Sequence, residues 1–139
     1  MTNASSFIGA SASSPRLPSK GSTSLQIKRI YEPKEASDGT RILVDRLWPR
    51  GLSKTAASVD IWLKEIAPSS ELRRWFDHDP AKWDEFRARY DSELVQNASV
   101  VGTLMREIGR AKVTILYSAK DEEHNDAVAL AQFIAARLS

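Results

Sequence analysis

Hydrophobic positions along the chain change period several times, and each change marks a predicted element. Residues 25–31 (LQIKRIY) are rich in β-formers and give way to Pro33 and the Asp38-Gly39 turn signal, which predicts a first strand. Residues 41–46 predict a second. Its centre, Ile42-Leu43-Val44, is continuously apolar rather than alternating, as in a strand covered on both faces. Residues 53–57 predict a short helical turn, and 59–66 alternate well enough to be assigned to a third strand, although their length also suits a helix. Three helices follow. One opens at Pro68-Ser69-Ser70-Glu71 and runs through Phe76. Asp79-Pro80 supplies an N-cap and a first-turn proline for the next, which places Trp83, Phe86, Tyr90 and Leu94 on one face. The third carries Val101, Leu104, Met105 and Ile108 and is expected to stop at Gly109. Residues 112–117 (KVTILY) are the clearest strand, and Ala127, Leu130, Ala131, Ile134 and Leu138 define a final helix.

These elements predict a single small α/β domain over residues 25–139, with about four mostly parallel strands and helices packed on the sheet. A chain of 139 residues can bury such a core without disulfide or metal staples. Residues 1–24 differ in kind. They are rich in Ser, Ala, Gly and Pro, with too few large apolar groups to offset the entropy of ordering them, so a flexible, disordered tail is expected. Phe7-Ile8 is too short an apolar stretch for a secretory signal. The acid-free leader with Arg16 has a weak likeness to a transit peptide, without the basic density or amphipathic face of one. No apolar run approaches the roughly 20 residues of a membrane span, and a soluble, cytoplasmic protein is the expectation.

Two features of composition remove whole classes of function. The absence of cysteine excludes disulfides, thiolate zinc sites and Cys nucleophiles. The net charge of +2 comes from Arg16 and Lys20 in the leader; of 20 Lys and Arg, 18 remain from residue 25 onward, against all 18 Asp and Glu. The body is formally neutral, which weakens a nucleic-acid reading. Residues 82–93 weaken it further, with three basic and four acidic side chains where a recognition helix presents a basic face.

In parallel sheets, ligands gather beyond the carboxyl ends of the strands. Two polar clusters lie at such ends here, one at residues 45–51 (DRLWPRG) and one at 118–125 (SAKDEEHN). If their strands are parallel neighbours, Arg46, Arg50 and Lys120 converge on an anion, because the planar fork of Arg donates paired hydrogen bonds to phosphate or carboxylate. Asp121 and Asn125 join them as ligand-binding candidates, with Trp48 as a wall, and Asp45 and His124 are the acid/base candidates for catalysis. Structural readings compete at several positions. Arg46 can pair with Asp45 or a helix carboxylate, core packing is the better reading of Trp48, and Asp121 can cap the last helix with Glu122 and Glu123 in its first turn. Asp77-His78-Asp79 gives adjacent rather than convergent groups, so no metal site is expected. Neither GxGxxG nor GxxxxGKS occurs, and Ser118 lacks a GxSxG setting, so no cofactor and no serine nucleophile are expected.

Three strings carry a resemblance: LVDRLWPRGLSK at 43–54, WLKEIAPSSELRRWFDHDPAKWDEFRARY at 62–90 and VTILYSAKDEEHNDA at 113–127. Together they closely resemble the YeaO-like family (domain of unknown function 488), a group of bacterial and fungal proteins, over roughly residues 27–138. The resemblance implies a small stand-alone α/β domain and carries no established reaction. It matches the family's characteristic residues at Asp45, Arg46, Trp48, Pro49, Arg50, Gly51, His78, Asp79, Pro80, Lys120, Asp121 and Asn125. The functional expectation is an anion-binding domain or enzyme whose ligands include phosphate-bearing small molecules. The alternatives are a nucleic-acid-associated or regulatory protein, and a non-catalytic interaction module that leaves Trp62, Trp75 and Trp83 partly exposed.

Overall fold

The last strand in the sequence lies inside the sheet, not at its edge. In a computed structural model, which describes residues 25–138, four strands run parallel in the order β1-β4-β2-β3. They are β1 (Leu25–Arg29), β2 (Thr40–Leu43), β3 (Ile61–Trp62) and β4 (Val113–Tyr117). The helices are α1 (Lys54–Ala57), α2 (Ser70–Phe76), α3 (Trp83–Gln96), α4 (Ala98–Arg110) and α5 (Asp126–Leu138). The expected leader tail lies outside the described residues. Among those residues no helix is long and apolar enough to cross a membrane.

Every residue of β4 is buried, which is why KVTILY reads so clearly. Its neighbour β2 is in register from Thr40 opposite Val113 to Leu43 opposite Leu116. Alternation along β2 feeds two cores. Ile42 and Val44 join Phe86, Tyr90, Leu94, Leu104, Ile108, Leu130 and Ile134 from α3, α4 and α5, while Leu43 joins Ile30, Ala57 and Leu116 on the other face. Trp48, Leu52, Val59 and Trp62 close that smaller core. The unbroken Ile-Leu-Val run therefore belongs to a strand covered on both sides.

Three expectations need correction. The pattern at 59–66 is only a two-residue strand, followed by a 3-10 turn at Lys64–Ile66. Leu63 makes the last contact with β2, its N–H donating to the Leu43 carbonyl at 2.9 Å. The chain then turns so that Ile66 enters the large core, where its carbonyl accepts the Tyr90 hydroxyl at 2.6 Å. Strand β2 stops at Leu43 rather than at 46, although the Val44 N–H still donates to Leu116 at 3.2 Å. Helix α4 runs through Gly109 to Arg110 and leaves through an extended Ala111 (φ −166°, ψ 173°) straight towards β4. No left-handed residue is needed there, so Gly109 is not a terminator.

The Asp38-Gly39 signal marks more than a loop. Gly39 has φ 68°, and a Cβ there would sit 2.3 Å from the Lys112 carbonyl oxygen, so only glycine fits. Asp38 itself is fully buried, at 0% exposure, with Lys28 at 3% and Arg41 at 1%. Lys28 Nζ lies 3.1 Å from both carboxylate oxygens, Arg41 Nη1 donates at 2.6 Å and the Glu35 N–H at 3.0 Å. Burial alone raises the Asp38 carboxyl. The Glu35 N–H, Lys28 and Arg41 outweigh that effect and hold it below the ordinary carboxylate range. Thr114 Oγ1 donates to the Asp38 carbonyl at 2.7 Å, so this ionic group ties the β1–β2 connection to β4.

Candidate functional site

Because β2 and β4 are parallel neighbours, the segments leaving their carboxyl ends lie side by side. With α2, the turn after it and the start of α5 they enclose a cleft of about 990 Å³. Asp45, Arg46, Trp48, Arg50, Lys120, Asp121, His124 and Asn125 all line it. The two strand-end clusters thus meet in one concave site, as sequence reasoning requires of them.

At the inner end Asp45 is held by β4's exit. Its Oδ2 accepts the Ser118 N–H at 2.9 Å and the Ser118 hydroxyl at 2.8 Å, and its carbonyl accepts Trp62 Nε1 at 2.8 Å. Beside it is a residue that sequence reasoning missed, Asp126, the first residue of α5. Burial, the Asp45 charge and a hydrogen bond between the two side chains raise the Asp126 carboxyl well above the ordinary range. The pair therefore retains a proton at pH values where a lone carboxylate has lost it. No spacing in the sequence links the two positions; only the β2–β4 adjacency does.

This shift has a measurable consequence. The folded chain holds the Asp126 proton more tightly than the unfolded chain does, so the associated stability is complete below the unfolded value of about 3.9 and is lost as pH rises through the raised folded value. Asn cannot ionise and can still donate to Asp45. Asp126→Asn is expected to raise the melting temperature, with a gain that grows between about pH 5 and about pH 8. Parallel thermal melts across that range check it; a gain that shrinks with pH sinks the assignment.

The cations come from four segments, Arg29 being the last residue of β1. Arg46 and Arg50 follow β2, Lys120 follows β4, and Arg73 and Arg74 lie on α2. Arg46 does not pair with Asp45 or with a helix carboxylate, and its Nε is buried with no hydrogen-bond partner among the described residues. Arg73 is engaged locally, with Nη2 donating to Ser70 Oγ at 3.0 Å. Arg29 is engaged too. Its Nε and Nη2 donate to the Ala119 and Ser118 carbonyls at 3.0 and 3.2 Å, which fixes the path of the chain after β4.

Other candidates are mainly held by the fold. Trp48 donates from Nε1 to the Leu52 carbonyl at 2.6 Å and meets Trp62 edge-on at 5.4 Å, so it closes the small core while lining the cleft. Asp121 is not the cap of the last helix. Its Oδ1 accepts the N–H groups of Glu123 and His124 at 2.9 and 3.0 Å, and its Oδ2 lies 3.0 Å from His124 Nδ1. Burial raises the Asp121 carboxyl, but these bonds prevail and hold it below the usual range. The cap is Asn125, whose Oδ1 accepts the Val128 N–H at 2.9 Å while its Nδ2 donates to the Asp121 carbonyl at 2.9 Å. Glu122 and Glu123 consequently sit before α5 rather than in its first turn. His124 rests edge-on against Trp83 at 5.3 Å. His78, with φ 55° directly after Asp77 at φ 47°, stands on a left-handed turn at the cleft wall. Trp62, Trp75 and Trp83 are half-buried against the two cores. Among the described residues no group of three or more His, Asp or Glu side chains is placed to hold a metal ion.

The comparisons agree with the resemblance read from the three strings. A family model, DUF488-N3i, described as "Inactive DUF488-N3 subclade", matches residues 24–139. The Uncharacterized protein YeaO of Escherichia coli is 46% identical over 110 residues, covering 79% of this chain and 96% of that protein. The chain belongs to the YeaO-like DUF488 family. Relatives of this DUF488 type in Mycobacterium bovis (Uncharacterized protein Mb3100c) and Mycobacterium tuberculosis (Uncharacterized protein Rv3073c) are each 40% identical over 115 residues, covering 83% of this chain and 97% of theirs. No solved structure matches the chain. For this YeaO-like domain the cleft geometry is therefore the main guide to function.

Proposed function

We propose that the cleft binds a small anionic molecule, phosphate-bearing compounds included, through Arg46, Arg50 and Lys120, with Arg74 as a further contact. One observation carries this reading. These four cations line a single cleft at the carboxyl ends of two parallel strands, and none forms an ion pair with a carboxylate among the described residues. Clustered like charges repel, and an anionic ligand relieves that repulsion. Six Arg and Lys side chains line the cleft against four Asp, one of which is the proton-retaining Asp126, so the site is net positive.

Binding without turnover is the form of the proposal. The family model's description as an inactive subclade supports this form. Isothermal titration of the purified chain with inorganic phosphate, pyrophosphate and small carboxylates tests the reading. Arg46→Ala and Arg50→Ala are each expected to weaken the bound anion by about tenfold or more, near 1.4 kcal/mol, with a steeper loss in salt for wild type. Equal affinity in wild type and both variants, or no anion bound at all, rejects it.

A further inference from the structure

The cleft has two chemically different ends, and an anion accounts for only one. Arg46, Arg50 and Lys120 are contributed by the segments that follow β2 and β4, whereas Asp45 and Ser118, bonded to each other where those strands end, and Asp126 at the start of α5 form an acceptor-rich floor in the same lining. A bare phosphate that reached this floor would meet the Asp45 carboxylate. The two ends therefore suit a ligand that is itself two-ended. Whatever meets the floor must donate hydrogen bonds and carry no negative charge.

A carboxylate offers about four lone-pair sites. Ser118 uses two of those on Asp45, at 2.9 and 2.8 Å, and the Asp126 side chain bonds to Asp45 as well. The Asp126 Oδ1 accepts the Ala127 N–H at 3.0 Å. Acceptor capacity remains on both carboxyl groups for incoming O–H donors. A cationic head would donate too, but six Arg and Lys against four Asp make the cleft net positive, which opposes a second cation. Neutral hydroxyls meet no such opposition. Trp48 lines the same cleft and offers apolar surface to the C–H groups of a hydroxylated carbon skeleton, with Phe76 and Phe86 buried behind the cleft wall. The volume of about 990 Å³ is at the upper end of small-molecule sites and far exceeds what an inorganic anion fills.

We infer that the cleft takes a phosphorylated sugar or polyol, its phosphate at Arg46, Arg50 and Lys120 and its hydroxyls on the Asp45–Asp126 floor. This rests on the anion-binding reading and adds the identity of the second half of the ligand. Titration of the wild-type chain with inorganic phosphate, glycerol phosphate, ribose phosphate, glucose phosphate, phosphoethanolamine and glucose tests it. At least one of the hydroxylated phosphates is expected to bind about tenfold tighter than inorganic phosphate, with glucose alone weak. Asp45→Asn, checked for folding by its melting curve, is expected to shrink that advantage to about threefold or less while leaving inorganic phosphate at least as tightly bound. If phosphate binds and no hydroxylated phosphate exceeds it, the inference fails while anion binding stands. It fails in the same way if phosphoethanolamine binds tightest, or if Asp45→Asn keeps the full advantage. If no phosphate compound binds, the anion-binding reading falls and takes the inference with it. The wild-type panel decides the matter even if Asp45→Asn does not fold.

Discussion

Asp38→Ala is expected to lower the unfolding free energy by about 3–5 kcal/mol, because it leaves buried Arg41 without a counter-charge and buried Lys28 with only the exposed Glu35 carboxylate, at 3.2 Å. Lys28 and Arg41 are 3% and 1% exposed and both bond to the Asp38 carboxylate. Each keeps neutral partners in the variant. Lys28 Nζ still donates to the Pro33 carbonyl at 2.8 Å, and Arg41 still donates to Ser58 and Ala57 carbonyls, both at 2.9 Å. Those bonds satisfy donors, and Glu35 still offsets part of the Lys28 charge, which places the loss near the lower end, about 3 kcal/mol. Urea denaturation at neutral pH should show a lower midpoint with an unchanged slope. The pH dependence has a definite sign. The folded Asp38 value is depressed, so its contribution is present above the unfolded value of about 3.9 and is lost as pH falls through the folded value. The gap between wild type and variant should therefore narrow in acid. A gap below about 1 kcal/mol at neutral pH would mean that the ionic group is not what joins the β1–β2 connection to the sheet.

The same residue shows where the sequence is legible and where it is not. Asp38-Gly39 carries a correct turn signal, since Gly39 does adopt a positive φ. That signal is local, whereas the burial of Asp38 depends on Lys28 and Arg41 arriving from two strands with β4 between them. The parallel α/β sheet was readable because period and residue type are also local: Ile42-Leu43-Val44 and 113–117 are buried on both faces and contain the residues that fit there. Strand-end clusters were readable for a related reason, because polar residues directly after a buried strand have few places to go except its rim. Their convergence required β2 and β4 to be neighbours, a long-range fact that the chain satisfies. That Asn125 rather than the expected Asp121 caps α5 follows from where packing of Ala127 and Leu130 makes the helix begin. Asp126 was missed for the most physical reason. A first-turn Asp is ordinary helix chemistry, and only the nearby Asp45 carboxyl changes its proton affinity.

Phe86→Ala is expected to cost about 3–5 kcal/mol, since one wall of the cleft is also core. Phe86 is 2% exposed, stacked on Phe76 with centroids 4.3 Å apart and close to Trp83 at 5.6 Å and Tyr90 at 5.8 Å. Truncation removes the centre of this aromatic cluster and leaves a void that three rings cannot jointly close. The void adjoins the cleft, so water can enter part of it, which favours about 3 kcal/mol over the upper figure. The effect on ligand should be much smaller. Arg46, Arg50 and Lys120 are fixed by the exits of β2 and β4, whose ladder does not depend on Phe86, whereas Arg74 follows α2, which ends at Phe76. Anion affinity is therefore expected to fall by less than about threefold in the folded variant, a change under about 1 kcal/mol. Denaturation midpoints together with titrations at a temperature where the variant is folded separate the two. A large loss of affinity with little loss of stability would place the anion anchor on α2 instead of at the strand ends.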